Sequence, residues 1–130
     1  MNNVNIREAT IEDIVDLQSF SKLFDPGDYL IRAWADWLKE RDDINLLAEM
    51  DTRIIGCLHA EMLTSIDGWA QGLRVHPDYK NEGIGKELLK ASQAALKSRG
   101  VTHVRSTIDA FNKASQIIVH RLGWVKVDRI

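Results

Sequence analysis

Cysteine is almost absent: Cys57 is the single thiol in 130 residues, so no internal disulfide holds this fold, and a reducing, cytoplasmic setting is expected. Cys57 lies in an apolar stretch and reads as a buried, inert thiol. Proline is scarce, at two residues, which leaves the chain free to build long regular elements. No apolar run approaches the about 20 residues that a membrane helix needs, and "MNNVNIREAT" lacks the basic-then-apolar pattern of a signal peptide. Neither sign of charge dominates. A net charge of −2 gives no electrostatic footprint for nucleic acid. Repeats, low-complexity tracts and interdomain linkers are missing as well.

What is present is the make-up of a globular domain, 45% hydrophobic and 28% charged, long enough for one real core and read as one domain over residues 1–130. "VNIREAT" alternates like a short strand. Thr10 and Asp13 mark a helix start, with Ile11, Ile14 and Val15 as its apolar stripe. "DPGD" is a break. Beyond it, Leu30, Ala33, Trp34, Trp37 and Leu38 recur at i, i+3, i+4, i+7 and i+8, the spacing of an amphipathic helix. "INLLAEM" and "RIIGCLHAEML" read as strands joined by a tight turn at Asp51 and Thr52. On the second, Arg53, Ile55, Cys57, His59, Glu61 and Leu63 are expected on one face and Ile54, Gly56, Leu58, Ala60 and Met62 on the other. "WAQGLRV" is a further strand, with Gly72 marking a bulge or a close backbone approach. A helix begins near Gly85 and buries Leu88, Leu89, Ser92, Ala95 and Leu96 until Gly100 ends it. "THVRSTI" is a strand, Asn112 caps a second helix closed by Gly123, and "WVKVDRI" is a last strand. The predicted fold is a mixed α/β domain in the order β-α-α-β-β-β-α-β-α-β.

The chemistry gathers at "VHPDYKNEGIGKELL", Val75 to Leu89, where a strand meets a helix through a loop holding Gly83 and Gly85. The first-turn amides of a helix have no intrahelical partners, and its dipole adds partial positive charge there. Glycine lets the backbone approach a ligand closely, and Lys80 and Lys86 add charge, so the junction suits phosphate. A tight turn with no ligand fits the glycines equally well. Two phosphate motifs are excluded. The nucleotide P-loop needs Ser or Thr after its Gly-Lys, where this chain has Glu87. The dinucleotide fingerprint needs a third glycine where Leu88 stands, and its glycines directly follow the strand, whereas about seven residues intervene here.

"LRVHPDYKNEGIGKELL" resembles the cofactor loop of the GNAT superfamily of N-acetyltransferases. Lys80-Asn81-Glu82-Gly83-Ile84-Gly85 fills that family's loop motif, with lysine for the usual arginine or glutamine. "NKASQIIVHRLGW" resembles its second signature, and the element order matches along essentially the whole chain. The resemblance implies an acyl-CoA N-acyltransferase fold, with a mostly antiparallel central sheet flanked by helices, and acetyl-CoA as acetyl donor with no metal. It implies that the backbone of Leu73, Arg74 and Val75 pairs with the pantetheine arm, beside two splayed strands. It further implies that the amides from Asn81 through Lys86 wrap the pyrophosphate, and that Asn112 touches the cofactor. The acceptor would be an amine of a small molecule or peptide, attacking the thioester directly.

The catalytic positions depart from the family pattern. The usual acid, a Tyr four residues before the closing glycine, is Val119 here; the adjacent His120 points about 100° away on a helix and reads as a surface residue. Gln71 stands where relatives often carry Glu, and an amide takes no proton. The carboxylates left as base candidates are Glu61, which shares a strand face with His59, and Asp109, at a strand end where Thr107 holds the usual position; each also fits a structural role. Trp34, Trp37 and Trp69 read as core, although in this fold the helix of Trp34 and Trp37 helps form the acceptor wall. A CoA-binding module without turnover, favoured by Val119 and Gln71, and an incomplete fragment of a longer acetyltransferase stay open beside the enzyme. Family members normally add one more strand after the Leu-Gly-aromatic segment. Its absence before Ile130 predicts an uncovered edge, closed by a homodimer or by further chain.

Overall fold

The structure, a computed structural model, describes residues 3–106. Their elements run β1 (Val4–Glu8), a 3₁₀ turn (Ile11–Asp13), α1 (Ile14–Ser21), α2 (Leu30–Trp37), β2 (Ile44–Met50), β3 (Arg53–Met62), β4 (Asp67–Val75), a second 3₁₀ turn (Pro77–Tyr79), α3 (Ile84–Ser98) and β5 (His103–Arg105). This is the order expected from the sequence, as far as β5. The second signature helix, the final strand and any closing of the sheet edge lie outside the described residues, as do Thr107, Asp109, Asn112, Val119 and His120.

The strands form one mixed sheet in the order β1-β2-β3-β4-β5. The first three pairings are antiparallel and the last, β4 with β5, is parallel through the α3 crossover. The β2–β3 hairpin turns at Asp51 and Thr52, whose φ values of 51° and 68° are both left-handed. Two such residues match the right-handed twist of the strands they join.

Each face of the sheet carries its own core. On one, α3 packs Ile84, Leu88, Leu89 and Leu96 onto Leu46, Leu58, Ala60 and Ala70. On the other, α1 and α2 bring Leu17, Phe20, Leu30 and Trp34 onto Leu47 and Cys57. Fully burying a leucine or isoleucine contributes about 1.5–3 kcal/mol, so both layers hold the sheet firmly. Trp34 is fully buried, and its Nε1–H donates to Ser21 Oγ at 3.0 Å. The Ser21 hydroxyl donates in turn to Leu17 O at 2.8 Å, so the buried polar atoms that join α1 to α2 are satisfied.

Two sequence expectations are corrected. The buried stripe of α1 is Leu17, Phe20 and Ser21; Ile11 and Val15 are exposed. The cause is the 3₁₀ first turn, closed by the Thr10 N–H donating to Asp13 Oδ2 at 2.8 Å: three residues per turn rather than 3.6 shift the phase of everything after it. The second correction concerns β3. Ala48 pairs with Gly56 but Glu49 pairs with Ile54, leaving Ile55 as an extra residue. Ile55 therefore joins the α3 core and Ile54 the α1–α2 side, the reverse of strict alternation.

Candidate active site

The loop that follows β4 is built to expose amides. Pro77–Tyr79 forms a 3₁₀ turn whose Asp78 N–H is accepted by His76 Nδ1 at 3.1 Å, and Tyr79 packs against the α3 core. The backbone then changes hand twice. Lys80 is extended, Asn81 has φ 65°, and Gly83 has φ 82° as the residue that starts α3. Alternating hand of this kind turns successive N–H groups toward one side and forms an anion-binding concavity. Lys80, Asn81, Glu82, Gly83 and Lys86 are exposed, while Ile84 and Gly85 are buried at the base of α3. A Cβ at Gly83 would meet nothing within 4 Å. The missing side chain thus leaves open space where a ligand could reach the backbone, and the residues fit the phosphates that the sequence implied.

Strand β4 presents its backbone beside this loop. Between the pairs Cys57–Arg74 and His59–Gln71 the register slips by one residue, and Gly72, with φ 74°, sits in the bulge. A Cβ there would lie 2.8 Å from Leu30 Cδ2, so the glycine admits both the bulge and the approach of α2. Among the described residues, β5 pairs with β4 only over Asp67–Trp69. Leu73, Arg74 and Val75 are half-buried beyond the bulge. The splaying expected at Gly72 would involve the continuation of β5 past Ser106, which lies outside the described residues. The Arg74 side chain is occupied elsewhere: Nε and Nη2 grip the two oxygens of buried Asp28 at 3.1 and 3.2 Å. Asp28 Oδ1 also accepts the Leu30 N–H at 3.1 Å, which fastens the start of α2 to β4.

On the α1–α2 face a second set of polar groups converges. Trp37 lies flat on His59, ring centroids 3.8 Å apart and planes 7° from parallel. His59 is fully buried, with Nδ1 2.8 Å from Asn45 Oδ1 and Nε2 3.5 and 3.6 Å from Glu61 and Asp43 oxygens. Burial, joined by the charges of Glu61, Glu40 and Asp42, pushes Asp43 up to about 6. Burial also draws His59 below its usual value, against the pull of Glu61. Gln71, paired with His59 across the strands, accepts a long 3.4 Å hydrogen bond from the Tyr29 hydroxyl. Burial raises the Tyr29 phenol above its usual range. Cys57, beneath this face, is pushed up to about 12 by burial and is chemically quiet.

The structure thus brings Lys80 through Lys86 together with the bulged strand, and Glu61 together with His59. It does not bring Glu61 to the loop: Glu61 pairs with Trp69, on the far side of Gly72. Of the tryptophans expected in the core, Trp34 is; Trp37 and Trp69 are half-buried. Sequence reasoning missed Asp28, Tyr29, Asp43 and Asn45. Asp43 stands just before β2 and Asn45 near its start, but in an unbulged hairpin Asn45 would face Leu58 rather than His59. Only the extra residue Ile55 aligns them.

No helix among the described residues is long and apolar enough to cross a membrane. The profile of the acetyltransferase (GNAT) family matches residues 11–124. The amino-acid acetyltransferase of Azotobacter vinelandii is 31% identical over 97 residues, and that of Ectopseudomonas mendocina 30% over 98. These stretches cover 74% and 75% of this chain but only 22% and 23% of those proteins. Among solved structures, AAC(6')-Iy in complex with the bisubstrate analog CoA-S-monomethyl-acetylneamine superposes with a TM-score of 0.85, at 21% identity, over 98% of this chain and 94% of that one. An aminoglycoside acetyltransferase from an uncultured soil metagenomic sample, in complex with sisomicin, gives 0.82 at 16% identity, over 99% and 93%. The loop geometry, the bulged strand and a profile match that spans most of the chain lead to one assignment: the chain belongs to the acetyltransferase (GNAT) family.

Proposed function

We propose that the chain moves an acetyl group from acetyl-CoA to a primary amine of a small molecule or peptide. The observation that carries this reading is the open concavity at Asn81–Gly83, set at the start of α3 and directly after a bulged strand. Amides from Asn81 through Lys86 would hold the pyrophosphate, with Lys80 and Lys86 adding charge. The backbone of Leu73, Arg74 and Val75 would hold the pantetheine arm as an added strand, and Asn112 would meet the cofactor from the second signature helix. When bound, acetyl-CoA supplies an activated acyl thioester.

An ammonium has no lone pair, so the amine must be neutral to attack. Gln71 accepts a hydrogen bond and takes no proton. Glu61 lies beyond the bulge, and Asp109 is the second carboxylate to test. With no base evident, the amine proton leaves to water, the CoA thiolate released as the C–S bond breaks takes a proton from water, and the rate follows the amine's own ionisation. The two structural neighbours that bind aminoglycoside-type amines, and the relatives that act on amino acids by their names, support a small-molecule acceptor. A CoA-binding module without turnover is the second reading, favoured by Gln71 in place of a carboxylate.

The test is thiol release from acetyl-CoA across a panel of polyamines, amino acids and aminoglycosides. Turnover with at least one amine, rising with pH up to that amine's ionisation, is the expected result. CoA binding without thiol release from any amine would select the second reading. A profile that levels off near neutral pH, and is abolished by Glu61→Gln or Asp109→Asn, would show a dedicated base.

A further inference from the structure

Three electron-rich side-chain atoms, one each from Asp43, His59 and Glu61, lie within 4.8 Å of one another. His59 Nε2 is buried and has no hydrogen-bond partner. Its distances to Glu61 Oε2 and Asp43 Oδ2 are 3.5 and 3.6 Å. The other ring nitrogen is fixed. Asn45 Nδ2 donates to Trp37 O at 3.2 Å, so Asn45 Oδ1 is the acceptor that faces His59 Nδ1 at 2.8 Å. Nδ1 therefore carries the hydrogen, and in the neutral ring Nε2 aims a bare lone pair at two carboxylates. Such a cluster calls for a positive centre.

The spacing discriminates among the candidates. A proton shared from Nε2 needs an N–H···O distance of about 2.7–3.2 Å, and both gaps exceed it. A primary ammonium with hydrogen bonds of about 2.8 Å in tetrahedral directions needs acceptors about 4.6 Å apart, and both gaps fall about 1 Å short. A four-coordinate cation with bonds of about 2.0–2.2 Å has ligands about 3.3–3.6 Å apart, which matches both, while the third pair, one oxygen each from Asp43 and Glu61, lies within 4.8 Å. We propose that Asp43, His59 and Glu61 bind a divalent transition cation of the zinc class.

The surroundings fit that assignment. Two carboxylates balance the charge of a divalent ion, and an imidazole ligand favours zinc-like ions over calcium or magnesium. Asn45 holds the distal ring nitrogen as second-layer partners of metal-bound histidines do, and the Trp37 stack fixes the plane of the ring. Three protein ligands leave a position for water or another small ligand. The family resemblance implied no metal, and the proposal departs from it; Asp43 precedes β2 while His59 and Glu61 lie on β3, and the Ile55 bulge sets their alignment. The inference stands independently of acetyl transfer.

The test is calorimetric titration of the EDTA-stripped full chain with ZnCl2, repeated with Co2+ to read the visible absorption of a four-coordinate site. One-to-one saturable binding is expected, weakened more than about tenfold by Glu61→Gln and by Asp43→Asn, and unchanged by His76→Gln or His103→Gln. Glu61 is partly exposed, so Glu61→Gln retains the fold; circular dichroism of each variant checks this. Absence of one-to-one binding, or binding that both carboxylate variants leave unchanged, overturns the proposal.

Discussion

The Trp37 indole covers the His59 imidazole face to face at 3.8 Å, so one aromatic residue of α2 seals a polar cluster that the sheet would otherwise expose. Trp37 also packs edge-on against Trp34 and Tyr29, which joins the α2 core to the start of the helix. Trp37→Ala should therefore remove both packing and shielding. A loss of about 1–3 kcal/mol is expected, below the cost for a fully buried tryptophan because Trp37 is half-buried. Trp37→Phe should recover most of it. Urea unfolding of the three proteins measures this, and an unchanged midpoint in Trp37→Ala would mean that the stack is incidental.

Gly72 makes a second demand on the same helix. Gly72→Ala would place a methyl 2.8 Å from Leu30 Cδ2 and force an L-residue to φ 74°. Strain and overpacking together are expected to cost about 2–4 kcal/mol. Gly72→Ala with Leu30→Ala should recover the clash and leave the backbone strain. Stability of the double variant below that of Leu30→Ala alone checks the separation.

Much of this architecture was legible in the residues. Gly72 announced the bulge, the Leu30–Leu38 spacing announced α2, and Gly83 with Gly85 announced the amide-lined loop, because each is a local demand on backbone or on one helix face. The partners of His59 were not legible. Asp43 and Asn45 reach it only because β3 carries Ile55 as an extra residue, and nothing in "RIIGCLHAEM" distinguishes a bulge from unbroken alternation. The exposed Ile11 and Val15 have a similar cause, since a 3₁₀ first turn follows from a hydrogen bond rather than from periodicity.

Arg7 ties β1 to the first turn and to β2, with Nη2 2.9 Å from Asp13 Oδ1 and Nε 3.1 Å from Glu49 Oε1. The hydrogen bonds from Arg7, opposed in part by burial, hold the Asp13 carboxyl below its usual range. A depressed folded value means that this contribution is complete above the unfolded value near 3.8 and disappears as pH falls through the lower folded value. Arg7 is 37% exposed, so solvent screening keeps the pair to about 1 kcal/mol or less. Asp13→Asn should lower stability at neutral pH and converge with the parent in acid. Parallel curves over the whole range would contradict the linkage.

Cys57 is fully buried, with its thiol raised to about 12. Alkylation at pH 8 should proceed only through unfolding, and denaturant should accelerate it by orders of magnitude. Labelling of the native protein at the rate of an exposed thiol would show that this face of the sheet opens.

The most direct test of the central claim is calorimetric CoA binding to the folded parent, Gly83→Asp and Lys80→Ala. Aspartate tolerates the left-handed backbone at this open position better than most residues, so the fold should persist while a carboxylate enters the phosphate cradle. One-to-one binding by the parent is expected, with a loss of more than about tenfold, or about 1.4 kcal/mol, in Gly83→Asp, and a smaller loss in Lys80→Ala. A folded Gly83→Asp that binds CoA as tightly as the parent, or a parent that does not bind CoA, would contradict it.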